Sequence, residues 1–155
     1  SLFSLFPKVK AATITSIIQH DLCALDIYKL DTWHRDKAEQ KTLELNDTKL
    51  ELSNNDAALK KYKTLNSIID PLSTYFSILI MHAQASRKSA LLAVQVLRYN
   101  AHLSRIASEY EWHAVVAYHM AFFTKRCREM IDGEYGSWGR IDLELHGEHL
   151  YPHWK

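Results

Sequence analysis

The stretch that decides the fold is residues 111–131, EWHAVVAYHMAFFTKRCREMI. It is apolar around much of its circumference and spans about five helical turns. A helix that is apolar nearly all round is buried by its neighbours. The pattern therefore predicts a central helix, and the rest of the chain must supply the helices that surround it. Gly133, just past its end, sits where a glycine C-terminal cap belongs.

The flanking segments supply those helices. Residues 87–107 place Leu92, Val96, Tyr99, Leu103 and Ile106 on one face, with Ser86 as the candidate cap. Ser108-x-x-Glu111 reads as a capping box, which predicts a break before the central helix. Upstream, Asp70 and Pro71 read as a cap and a first helical residue. Leu72, Tyr75, Phe76, Leu79, Ile80 and Ala83 then form a core-facing stripe. Short helices are predicted over 11–20, 22–29 and from residue 55, and a last helix or extended segment over 141–149. Only TLELNDTKLELS, residues 42–53, changes period: Leu43 and Leu45 mirror Leu50 and Leu52 around Asn-Asp, the pattern of a small β-hairpin. The expected architecture is mainly α: a single domain, 1–155, built as a bundle of about five to six helices with one hairpin near 42–53. Within it, 1–55 carries N-terminal helices plus the hairpin and 56–155 the helical core.

Composition agrees. The chain has 155 residues, 47% of them hydrophobic, with four glycines and three prolines. That leaves little turn chemistry and favours long helices. Cys23 and Cys127 are too few for a disulfide scaffold or a four-cysteine zinc site. No apolar run approaches the roughly 18–20 residues of a membrane span. The opening SLFSLFPKVK lacks a basic lead-in and contains Pro7, so it does not read as a secretory signal. The expected setting is intracellular, cytoplasm or nucleus, with no membrane partner.

A formal net charge of +1 conceals an asymmetry. Residues 87–128 hold seven basic groups, Arg87, Lys88, Arg98, Arg105, Lys125, Arg126 and Arg128, against Glu109 and Glu111. Residues 129–149 hold Glu129, Asp132, Glu134, Asp142, Glu144 and Glu148 against Arg140. Three readings follow: solvated helix faces, head-to-tail self-association of the acidic tail with a basic face, or a basic patch for nucleic acid.

The search for chemistry finds little. No P-loop, dinucleotide fingerprint or nucleophile elbow occurs. His20 and Cys23 stand three apart, as a thiolate–imidazole pair requires, but no group supplies an oxyanion hole. His119 falls on the apolar side of the central helix and reads as a core histidine bonded to a carbonyl or hydroxyl. The terminal HGEHLYPHWK places His146 and His149 on one helix face, with His153 beyond Pro152. Three histidines make a candidate metal site, although His-Glu-x-x-His is absent. No catalytic residues and no cofactor are expected.

One resemblance covers about residues 72–150. Tyr75 and Ile78 open a helix, and Tyr99 centres the next. Trp112-x-x-Val115-x-x-Tyr118-x-x-x-Phe122 follows, then basic residues, Trp138-Gly139 and Asp142-x-x-Leu145. This pattern resembles the Gag-like, capsid-type domain of retrotransposons and of retroelement-derived open reading frames, fungal ones in particular. ITSIIQHDLCALDIYKLD resembles the leader before that domain more faintly. The resemblance implies a non-enzymatic helical assembly domain acting through protein–protein self-association. The alternatives are a nucleic-acid-binding helical domain using the 87–128 bases and a small metal-binding protein using the C-terminal histidines. The chain departs from the pattern at Tyr118-His119 and Phe122-Phe123, where the family carries Tyr-Asp and Phe-Arg. The basic residues are displaced here to Lys125 and Arg126, and two distant cysteines cannot form a zinc knuckle.

Overall fold

A computed structural model of the chain describes residues 1–31, 54–85 and 87–155. The hairpin expected at 42–53 and the cap expected at Ser86 lie outside the described residues. What is described is helical, and no strand occurs among the described residues beyond an isolated bridge between Tyr110 and Trp154.

The chain opens with α1 (Leu2–Leu5), α2 (Ala11–Ile18) and a 3-10 helix, Ala24–Leu30. Then come α3 (Asn54–Lys61), α4 (Leu65–His82), α5 (Lys88–Glu109), α6 (Trp112–Ile131) and the single turn α7 (Leu143–Leu145). A π-helical turn, His146–Leu150, and a 3-10 turn, Tyr151–His153, finish the chain.

The central helix is where the sequence put it. Ten side chains of α6 are buried, among them Val115, Tyr118, His119, Phe122 and Phe123. Around it pack α3, the 3-10 helix, α5, α7 and the terminal turns, while α4 packs on α1, α2, the 3-10 helix and α5. Buried residues from Ile14 to Leu150 form one contiguous cluster, so both ends of the chain contribute to one core.

Two helix starts differ from expectation. α4 begins at Leu65, not at Pro71, because Thr64 and Ser67 form a reciprocal capping box upstream. Pro71 is therefore inside the helix, buried against the core. The break before α6 falls as expected, but Ser108 does not cap it. Its hydroxyl donates to Arg105 O at 2.7 Å, and Glu111 occupies the cap position with no side-chain bond. Gly133 does close α6, at φ +86°, a left-handed conformation that favours glycine.

Tyr62 fastens the N-terminal part to the rest. Its buried hydroxyl accepts from Tyr28 N–H at 2.8 Å and lies 3.0 Å from Leu25 O. One residue type thus satisfies the irregular backbone of the 3-10 helix where no regular ladder does.

Candidate functional site

Four of the positions that carry the resemblance, Tyr75, Tyr99, Phe122 and Trp138, converge. Trp138, 1% exposed, inserts among the rings of Tyr75, Phe76, Tyr99, Phe122 and Phe123, with centroid separations from 4.9 to 6.4 Å. Tyr99 stacks on Phe122 at 4.5 Å and 5°. Trp112 donates its indole N–H to Tyr62 O at 2.8 Å, which joins α3 to the start of α6. Val115 and Tyr118 are also buried, Tyr118 stacked on Phe122 at 5.6 Å. Gly139 has a steric reason: a β-carbon there would stand 1.9 Å from Gln95 Oε1 and 3.0 Å from Gln95 Cδ. The Gln95 amide, the end of a flexible side chain, would have to move aside to admit it.

Asp142 anchors the terminal segment. Its Oδ1 accepts the Leu145 N–H at 3.1 Å and so caps α7. Its Oδ2 accepts from Lys125 Nζ at 2.8 Å and lies 3.5 Å from Arg126 Nη2. Burial raises the pKa of this carboxyl, but the Lys125 and Leu145 hydrogen bonds and the two cations outweigh burial, and the pKa is lowered. Arg126 also pairs with Glu129, donates to Ser137 O and lies over the Phe122 ring at 4.6 Å.

This geometry divides the seven basic residues. Arg126 is 5% exposed and serves the interior. Lys125 is half-buried in its pair with Asp142, and Lys88 donates to Gly133 O at 3.1 Å. Arg87, Arg98, Arg105 and Arg128 are exposed. The basic and acidic segments of the sequence therefore meet partly inside one molecule, through Asp142 and Glu129.

The three C-terminal histidines do not gather. His146 turns inward, its Nε2 2.9 Å from Nε2 of His102 on α5. His153 packs edge-on against His113 at 4.6 Å, and His149 lies 3.8 Å from Glu148. Among the described residues no group of three or more His, Cys, Asp or Glu side chains could hold a metal ion. No helix among them is long and apolar enough to cross a membrane.

Two buried titratable groups, His119 and Cys127, are held in their neutral forms. His119, fully buried, shares a 2.6 Å hydrogen bond with the Tyr99 hydroxyl, and burial pushes its pKa down to about 3. Burial pushes the Cys127 thiol up to about 11, so it stays protonated beside Tyr75. His20 meets the Tyr135 hydroxyl at 2.7 Å, while Cys23 is exposed.

Sequence reading missed the outer face of α5. Leu91, Val94 and Leu97 are 51%, 47% and 69% exposed, a cluster of large apolar groups on one helix. The signal was a second period, Ala90, Val94, Leu97 and Ala101, running beside the core stripe. It also missed His102, whose partner lies 44 residues away. Compared with known protein families, with curated proteins and with solved structures, the chain matches none.

Proposed function

We propose that the chain is a non-enzymatic helical assembly module of the Gag-like, capsid type, acting through self-association. The observation that carries this reading is the exposed apolar face of α5, formed by Leu91, Val94 and Leu97. Exposed apolar residues grouped on one rigid element favour a protein partner over solvent. The resemblance supports the same reading, because Tyr75, Tyr99, Phe122 and Trp138 pack as one unit, as a shared domain core requires. The nucleic-acid alternative loses support from Arg126, which is buried, and from Lys125, which is engaged by Asp142.

The test is sedimentation or light scattering across a wide range of protein concentration and at two salt concentrations. Average mass rises with concentration if the reading is right. A strict monomer at the highest attainable concentration overturns it.

A further inference from the structure

The outer face of α5 carries more than exposed apolar groups. Ala90, Val94, Leu97, Ala101, Ser104 and Ser108 are all exposed and follow at alternating steps of four and three. That spacing presents a continuous seam to a partner helix. The seam is also divided by size. Val94 and Leu97 stand on one side of residue 99, and the small Ala101 and Ser104 on the other.

A two-fold axis at residue 99 makes the seam complementary to itself. An antiparallel copy sets Leu97 against Ala101 and Val94 against Ser104, so bulk meets space on both sides. Antiparallel pairing also opposes the two helix dipoles. A parallel copy would stack Leu97 on Leu97 and leave Ser104 facing Ser104 across a gap. The acidic C-terminal segment is a poorer occupant, because Asp142 and Glu129 are already paired with Lys125 and Arg126 of their own chain.

We infer that two copies of this chain dimerise through α5, antiparallel and centred on residue 99. The inference rests on the self-association reading and names its surface. One helix pair of this length, about 33 Å, buries less than the roughly 1,200 Å² of a stable complex. The dimer is therefore weak and dependent on concentration. Arg98 lies beside the axis and approaches its own copy, a repulsion that salt relieves.

The experiment has two parts. Sedimentation compares the full chain with Leu97→Glu, whose fold is checked by circular dichroism; Leu97 is exposed, so the fold is retained. The wild type shows a monomer–dimer equilibrium and L97E stays monomeric. In a Cys23→Ser background, Val94→Cys and Ser104→Cys chains carrying tags of different size are then mixed and air-oxidised. The mixed disulfide dimer forms in several-fold excess over either homodimer.

A wild type that is monomeric throughout overturns this dimer and the self-association reading together. If L97E associates like the wild type, only the α5 dimer falls. Efficient cross-linking of V94C to itself rejects the antiparallel register. A monomeric wild type whose melting temperature falls in L97E shows that Leu97 is covered within its own chain, which also overturns the dimer.

Discussion

The side-chain amide of Gln95 occupies the space that a β-carbon on Gly139 would need, 1.9 Å from Oε1. Gly139→Ala therefore displaces the end of the Gln95 side chain, at a cost of about 1 kcal/mol, the low end for overpacking. Gln95→Ala in the same chain relieves the clash. Urea denaturation of the two single variants and the double variant should give a positive coupling, with the double variant less destabilised than the sum of the singles.

Asp142→Asn keeps the shape and the cap on α7 but removes the charge that faces Lys125 and Arg126. Arg126 is 5% exposed and cannot recover the loss from water. The expected destabilisation is about 2–3 kcal/mol. Asp142→Ala loses the cap as well, about 1 kcal/mol more. Equal stability of D142N and wild type in urea would show that Glu129 alone neutralises Arg126.

His119 ties stability to pH. Its pKa is about 3 in the fold and 6.5 in the unfolded chain, so the fold favours the neutral ring. The unfolded chain binds more protons between those values. The stability contributed is complete above about pH 6.5 and declines as pH falls toward 3, by about 1.4 kcal/mol per pH unit. Thermal unfolding from pH 7 to 4 should show at least this slope, since His102 is lowered as well, and His119→Gln, which cannot titrate, should reduce it by about 1.4 kcal/mol per pH unit without abolishing it.

The terminal turns should loosen at acid pH before the core does. The His102–His146 contact needs one ring nitrogen to donate and the other to accept, so it holds only while the pair is not fully protonated. Burial, the facing His146 and Arg105 lower His102 to about 4. Burial lowers His146 too, against Asp142 and Glu109, which raise it. The rings of Tyr118 and Tyr151 complete the surroundings. Both shifts favour the neutral form, so the contact is whole near neutrality and is lost as pH falls through about 4. Hydrogen exchange checks it at the Glu111 and Lys155 amides, which donate to His153 O and Glu109 O. Their protection should drop as pH falls through about 4 while that of α6 persists; simultaneous loss would mean the tail is no separate unit.

The helices were legible where a single period ruled. Leu92, Val96, Tyr99, Leu103 and Ile106 are all buried, as their spacing required. Helix starts were harder, because Asp-Pro is a common first turn but proline also tolerates a buried interior site if its neighbours compensate. The true cap, Thr64 with Ser67, lacks the glutamate that usually marks a capping box. Contacts across the chain were invisible to any window: Arg126 reads as a surface base until Asp142 and Glu129 meet it. The C-terminal histidines misled for the same reason, since His102 and His113 lie on other helices. The aromatic signature pointed to the core, while the outer seam of α5 was masked by the stronger core stripe on the same helix.

Trp138 has one further consequence, which concerns the order of synthesis. Every ring it touches, from Tyr75 to Phe123, leaves the ribosome before it does. A nascent chain can therefore form α4, α5 and α6 and still lack the plug that locks them together. Until Trp138 emerges the bundle exposes its aromatic centre, the condition in which partly made chains are most prone to associate wrongly. A pause in translation after α6 has emerged and before Trp138 has cleared the exit tunnel would prolong that interval.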